Sequence, residues 1–276
     1  PEARLDDRVD VNTYGGYVDP VYLEASARVV GDLKQRSFEA MELGPNDRVL
    51  DVGSGSGIDT THLGDVVTVN GVVIGVDADP AMVDAANSRV DRDGCDALVV
   101  HIRADASALP FGDDSFDGVR SERVLQHIDD PAVVVAEMAR VVRPGGVVVA
   151  VDTDWATLSM DSSDIDVERR LVRYKSEQLT RNGTAGRQLF RHFRAVGLDE
   201  VNVVPFALTA SFDLFRIVSM WDDLIVGAVR DGALTAPEAE AIEAELAERD
   251  RLGCGFGSLN LNLATGRKRR AATVDA

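Results

Sequence analysis

Lysine, cysteine and aromatic residues are all scarce in this chain, and positive charge is outweighed. Lys34, Lys175 and Lys268 are the only lysines among 29 basic residues, which face 47 acidic ones. The net charge of −18 opposes non-specific binding to nucleic acid or an anionic membrane, both of which are polyanions. The one basic cluster, Arg267-Lys268-Arg269-Arg270, precedes a small-residue tail and reads as solvated. Two cysteines, Cys95 and Cys254, lie far apart, with no Cys-x-x-Cys spacing and no Cys/His cluster. This predicts free thiols and no metal site, and it excludes a disulfide framework. No run of ~18 apolar residues exists, so no membrane span is expected. The first residues lack the pattern of a secretory signal, so a cytoplasmic protein is expected. Pro1 is not a natural start, so trimming or processing is expected there.

What is present is a large apolar content. Of 276 residues, 45% are hydrophobic, ample for a packed core. At ~150 residues per domain, the length suggests one large domain or one with an elaboration. Apolar runs at 48–52, 72–76, ~97–103, 116–120 and 147–151 read as strands. Helical spacing fills the segments at ~20–43, ~80–91 and ~131–142. Asp79-Pro80 and Asp130-Pro131 supply an N-cap followed by a proline in the first turn. Near-continuous apolar strands alternating with helices predict a doubly wound α/β fold with a parallel sheet.

The later half is more helical. Ser163 can cap a helix running to Arg181, and a second helix covers ~186–196. Strand six is expected at ~201–208 and a last strand near 256–265. Two helices, ~212–230 and ~236–250, fall between them. The second opens on a capping box, Thr235-x-x-Glu238. This pair reads as a cap insert at about 210–252. Residues 1–44 read as an N-terminal arm and helix, a lid, and 45–276 as the main domain.

The segment Val49-Leu50-Asp51-Val52-Gly53-Ser54-Gly55-Ser56-Gly57 is the most informative. An apolar strand ends in an acid and breaks into a loop with glycine at alternate positions. An acid beside that turn is wrong for a phosphate and right for a cationic group. The dinucleotide fingerprint G-x-G-x-x-G fails here, because Ile58 stands where the third glycine belongs. Asp51, Asp77 and Asp105 all lie at or just past strand ends, where open parallel sheets bind ligands. Asp77 follows Gly57 by twenty residues, the distance at which an acid reaches ribose hydroxyls.

Taken in order, these pieces form a pattern. Asp51-x-Gly53-x-Gly55-x-Gly57, Asp77-Ala78, Asp105-Ala106 with Leu109-Pro110-Phe111, Ser115-Phe116-Asp117 and Arg143-Pro144-Gly145-Gly146 resemble the small-molecule branch of class I methyltransferases that use S-adenosylmethionine (SAM). That branch includes menaquinone and ubiquinone C-methyltransferases and natural-product O- and N-methyltransferases. The match spans roughly residues 45–152.

The resemblance implies a Rossmann-like, seven-stranded, mostly parallel sheet with an antiparallel last strand and a helical cap. It implies that SAM is the cofactor and S-adenosylhomocysteine (SAH) the product. Gly53, Ser54, Gly55 and Gly57, with Asp51, would lie about the methionine part. Asp77 and Ala78 would meet the ribose, Asp105 and Ala106 the adenine, and Met82 would pack on the adenine ring. Arg120 on strand four and Tyr17 in the N-terminal arm complete the expected cofactor contacts.

The acceptor side is thinner. His127, in Arg123-Val124-Leu125-Gln126-His127, is the best-placed base, with an ordinary pKa suited to proton transfer; the alternative is a histidine that caps the next turn. Arg123, Asp154, Trp155 and Tyr14 are the candidate acceptor contacts, and Asp152 is a further acid in that region. The expected reaction is methyl transfer to oxygen or nitrogen of a small, secondary-metabolite acceptor. Quinone C-methylation, a NAD-dependent oxidoreductase and a non-catalytic SAM-binding regulator are the competing readings. The oligomeric state is open.

Overall fold

The computed structural model describes residues 30–270. Helix α1 (Gly31–Glu39) precedes strand β1 (Arg48–Val52). Then come α2 (Ile58–Val67), β2 (Val72–Asp77), α3 (Pro80–Asp93), β3 (Leu98–Arg103) and β4 (Phe116–Glu122). A short turn of helix at Leu125–His127 leads to α4 (Pro131–Val141) and β5 (Val142–Met160). After α5 (Ile165–Tyr174), α6 (Ala185–Ala195) and β6 (Asp199–Ala210) come three helices: α7 (Phe212–Ser219), α8 (Trp221–Arg230) and α9 (Ala236–Arg251). Strand β7 (Gly257–Arg267) closes the set.

The seven strands form one sheet in the order β3-β2-β1-β4-β5-β7-β6. β7 runs antiparallel to both neighbours, and the other pairs are parallel. The chain winds outward from β1 through β2 to β3, then returns to β4 on the other side of β1. This reversal opens a crevice at the carboxyl ends of β1 and β4.

Both faces of the sheet are buried, which explains the near-continuous apolar strands. Val49, Val73 and Val149 face one core with Leu63 of α2, Leu171 of α5 and Leu224 of α8. Leu50, Val119 and Val148 face the other with Met138 of α4 and Phe193 of α6. Alternate residues of one strand thus serve opposite cores. Helix starts follow local chemistry. Asp79 and Asp130 cap α3 and α4 through their side chains, each ahead of a proline, and Thr235 and Glu238 form the capping box of α9.

Four expectations need correction. β5 extends to Met160, well beyond Val151, because it pairs with β7 as far as Met160↔Gly257; the polar run Asp152-Thr153-Asp154 masks this in the sequence. The helix expected from Ser163 to Arg181 is capped by Asp164 and gives way after Tyr174 to a widened turn, Lys175–Leu179. The helix expected at ~212–230 is two, split at Met220, whose φ is 54°. The basic cluster is only partly solvated: Arg269 and Arg270 are exposed, but Arg267 pairs with Glu42, Lys268 with Asp114 and Arg269 with Asp199, tying the end of β7 to the body. Both cysteines are free. Among the described residues no group of ligands could hold a metal ion, and no helix is long and apolar enough to cross a membrane.

Candidate active site

The glycine loop forms because β1 must turn sharply into α2. Gly53, Gly55 and Gly57 have φ of 72°, 52° and 73°, the left-handed region that side chains disfavour. Gly53 and Ser54 both donate from their amides to the Val76 carbonyl, at 2.8 and 2.9 Å. A Cβ at Gly53 would come within 2.1 Å of a Val124 methyl. The loop is therefore held between β2 and the segment after β4.

Asp77 braces the same loop. Its Oδ2 accepts from the Gly55 amide and its Oδ1 from the Asp79 amide, both at 2.9 Å. Burial pushes its carboxyl above the usual range, against the pull of those amides. Asp79 uses Oδ1 to cap α3, while its buried Oδ2 has no hydrogen-bond partner. Asp105 takes the amide and hydroxyl of Ser107 on Oδ1, which hold its pKa down.

These groups border a cavity of about 740 Å³. Gly53, Gly55, Asp77, Ala78, Met82, Asp105 and Ala106 line one end, and Arg123, His127 and Trp155 line the other. Glu122, Gln126, Lys175, Arg181 and Met220 also line it, and none of these five was singled out from the sequence. Asp51, Ser54, Gly57, Arg120 and Asp154 lie off the lining. Tyr14 and Tyr17 fall outside the described residues.

Asp51 and Arg120 belong instead to a buried ion network under the loop. Arg120 contacts Asp51 at 3.2 Å, Asp59 at 3.0 Å and Glu122. Its Nε donates to Ser37 Oγ, and its guanidinium sits 4.8 Å from the centre of the Phe38 ring. Lys34 pairs with Asp59 at 2.6 Å and Glu122 at 3.0 Å, so α1 is bound into the network too. Burial raises Asp51 to about 6 despite Arg120. Glu122 is also buried, but Arg120, Lys34 and Arg123 outweigh that and hold it low. Asp154, beyond the cavity, is buried and pairs with Arg187 at 2.6 Å.

The other end of the cavity is built around Gln126. The Trp155 indole, a donor only, donates to Gln126 Oε1 at 2.8 Å. That fixes the amide, so its Nε2 is the donor toward His127 Nε2, 3.2 Å away. His127 therefore carries its proton on Nδ1. Burial, then Lys175, Arg123 and Arg181, depress its pKa to about 4. It is neutral at physiological pH, but its Nε2 accepts a proton only if the Gln126 contact yields. Asp152 holds this turn in place. It accepts from the Leu125 amide at 2.7 Å and the Thr153 amide at 2.9 Å, and burial raises its pKa to about 7.

Arg123 and Met220 are non-glycine residues with positive φ, 56° and 54°, and both line the cavity. Left-handed backbone at such residues is uncommon and gathers at functional sites. Lys175 continues the winding of α5, its amide donating to the Leu171 carbonyl, and opens the widened turn that follows. Its one signal in the sequence is the rarity of lysine.

The set of acceptors fits a nucleoside bearing positive charge. Ribose hydroxyls and an adenine amine need acceptors: Asp77 and the orphaned Asp79 Oδ2 suit the first, and the second oxygen of Asp105 suits the other. A family model described as a methyltransferase domain matches residues 50–150. Residues 50–150 are a class I SAM methyltransferase domain. The chain is 35% identical over 146 residues to the 27-O-demethylrifamycin SV methyltransferase of Amycolatopsis mediterranei, covering 51% of each chain. It is 33% identical over 113 residues to the ubiquinone/menaquinone C-methyltransferase UbiE of Proteus mirabilis, covering 41% of this chain and 45% of that one. The crystal structure of YcgJ from Bacillus subtilis matches with a TM-score of 0.60 at 22% identity, over 88% of this chain and 99% of the other. That likeness shows the fold alone. The chain spans about half the length of the curated relatives it matches, from 45% to 58%.

Proposed function

We propose that this chain transfers a methyl group from SAM to an oxygen or nitrogen of a small-molecule acceptor in secondary metabolism. One observation carries the reading: a single cavity has an acceptor-rich nucleoside end under the glycine loop and a separate end with His127 and Trp155. The similarity to an enzyme named for O-methylation of rifamycin supports oxygen as the target. The similarity to UbiE favours carbon as the second reading. The ¹³C chemical shift of the transferred methyl group in the product, labelled from ¹³C-methyl SAM, separates the two.

SAM supplies the activated methyl group when bound. The chain's residues position the reactants and keep water out, which can supply several kcal/mol of rate enhancement. Asp77 and Asp79 would hold the ribose, Asp105 the adenine amine, and Met82 would pack on the ring. Gly53 and Gly55 would leave room for the methionine part. Trp155 would wall the acceptor, and His127 would take its proton. The helices α7–α9 would cap the site, through Val218 and Met220. The segment before residue 45 would act as the lid.

Asp77→Ala should weaken SAM binding by about 1–3 kcal/mol, the range for hydrogen bonds to a charged group. The same change frees the Gly55 amide, so the loop loses its brace. Calorimetry on the folded variant measures this. An unchanged Kd would leave Asp77 a brace and nothing more.

A further inference from the structure

The proposed reaction leaves a buried cation in the cavity unused. Lys175 is 5% exposed and lines the acceptor end. Its ammonium donates to the Ser219 carbonyl at 2.8 Å and lies 4.5 Å from the centre of the Trp155 ring. No carboxylate among the described residues lies within ion-pair distance of it; Asp223 on α8 acts only from farther away. A carbonyl and a ring face are weak compensation for a buried charge, because a buried cation normally requires an anion.

The neighbours do not supply one. Arg123 and Arg181 face the same end, and each already has an acid, Glu122 at 3.2 Å and Asp129 at 3.3 Å. His127 is neutral. Glu122 and Asp129, which also line the cavity, are thus taken up by Arg123 and Arg181, and of the three cations in the lining Lys175 is the one with no acid beside it among the described residues. Burial holds the Lys175 pKa down to about 8, so the ammonium persists at neutral pH. An ammonium has three donors, of which the Ser219 carbonyl takes one.

We propose that the acceptor carries a carboxylate that docks on the Lys175 ammonium beside Trp155, separate from the atom that is methylated. This rests on the methyltransferase reading and narrows its substrate class to acidic small molecules. Lys175 then binds and orients, while His127 handles the proton at the reacting atom. A bound carboxylate would supply the missing counter-charge and return the ammonium toward its ordinary pKa.

The scarcity of lysine makes the test clean. In the full chain labelled with ¹³C-lysine, only Lys34, Lys175 and Lys268 give side-chain signals, and Lys175→Gln identifies the one of interest. The chain is saturated with SAH and titrated with 4-hydroxybenzoate, then with 4-hydroxybenzamide, its neutral counterpart. The benzoate should bind at least tenfold more tightly and raise the pH midpoint of the Lys175 signal. Lys175→Gln should lose that preference, with circular dichroism confirming its fold. If the variant does not fold, the two probes on the unaltered chain decide. Equal binding of the probes, a Lys175 signal that neither moves, or a preference kept by a folded Lys175→Gln overturns the proposal. SAH binding is measured first: its failure strikes the methyltransferase reading, whereas SAH binding without discrimination strikes only this one.

Discussion

Arg120→Met is expected to cost about 3–5 kcal/mol of stability at neutral pH, the range for removing one partner of a buried ion cluster. The side chain is 1% exposed and neutralises Asp51, Asp59 and Glu122 at once. Without it, Lys34 and Arg123 remain against three acids. The deficit should depend on pH. Burial already raises Asp51 to about 6, and losing Arg120 raises it further. Between the ordinary carboxylate value and that raised value the native state holds more protons than the unfolded chain, so stability falls as pH rises through the window. The variant should therefore approach the parent near pH 4 and differ most above pH 7. Urea denaturation at both ends of this range measures it. A variant as stable as the parent at pH 8 would show that the cluster contributes no net stability.

His127→Ala should lower turnover by about 10²-fold or more, a typical scale for a lost general base, while SAM affinity stays nearly intact. Burial and the surrounding cations hold His127 down to about 4. The parent should therefore show no kinetic transition at the ordinary histidine pKa, since the ring is neutral across pH 6–9. For a phenol or alcohol acceptor the loss should be greatest at low pH, because raising the pH ionises the acceptor unaided. An amine acceptor would show a small effect, since a neutral amine attacks without a base. Turnover unchanged across pH 6–9 with the natural acceptor would leave catalysis to proximity and to SAM. Asp152→Ala offers a comparison, because Asp152 acts on the same turn through the Leu125 amide rather than through the acceptor.

The nucleoside end was legible in the sequence because its chemistry is local. A strand that ends in Asp51 and turns through Gly53 and Gly55, or one that ends in Asp77 before a capped helix, shows its geometry in neighbouring residues. The acceptor end comes from distant segments, and there the reading thins. Lys175 meets the cavity through the packing of the end of α5 against Trp155 and Ser219, and Met220 where the backbone turns left-handed between α7 and α8. No periodicity marks either event. Arg120 sits near the end of β4 as expected, whereas Asp154 lies within the longer β5, and the ion pairs of Arg120 with Asp51 and of Asp154 with Arg187 join residues tens of positions apart. The length of β5 was hidden for a related reason: its outer half pairs with β7, about a hundred residues later, and the polar run from Asp152 conceals the strand.

The account rests on the cavity being a SAM site. Titration calorimetry of the full chain with SAM, SAH and NAD tests that most directly. SAM and SAH should each bind at one site per chain, with both weakened by Asp77→Ala, and NAD should give no signal. Saturable binding of NAD with none of SAM or SAH would contradict it.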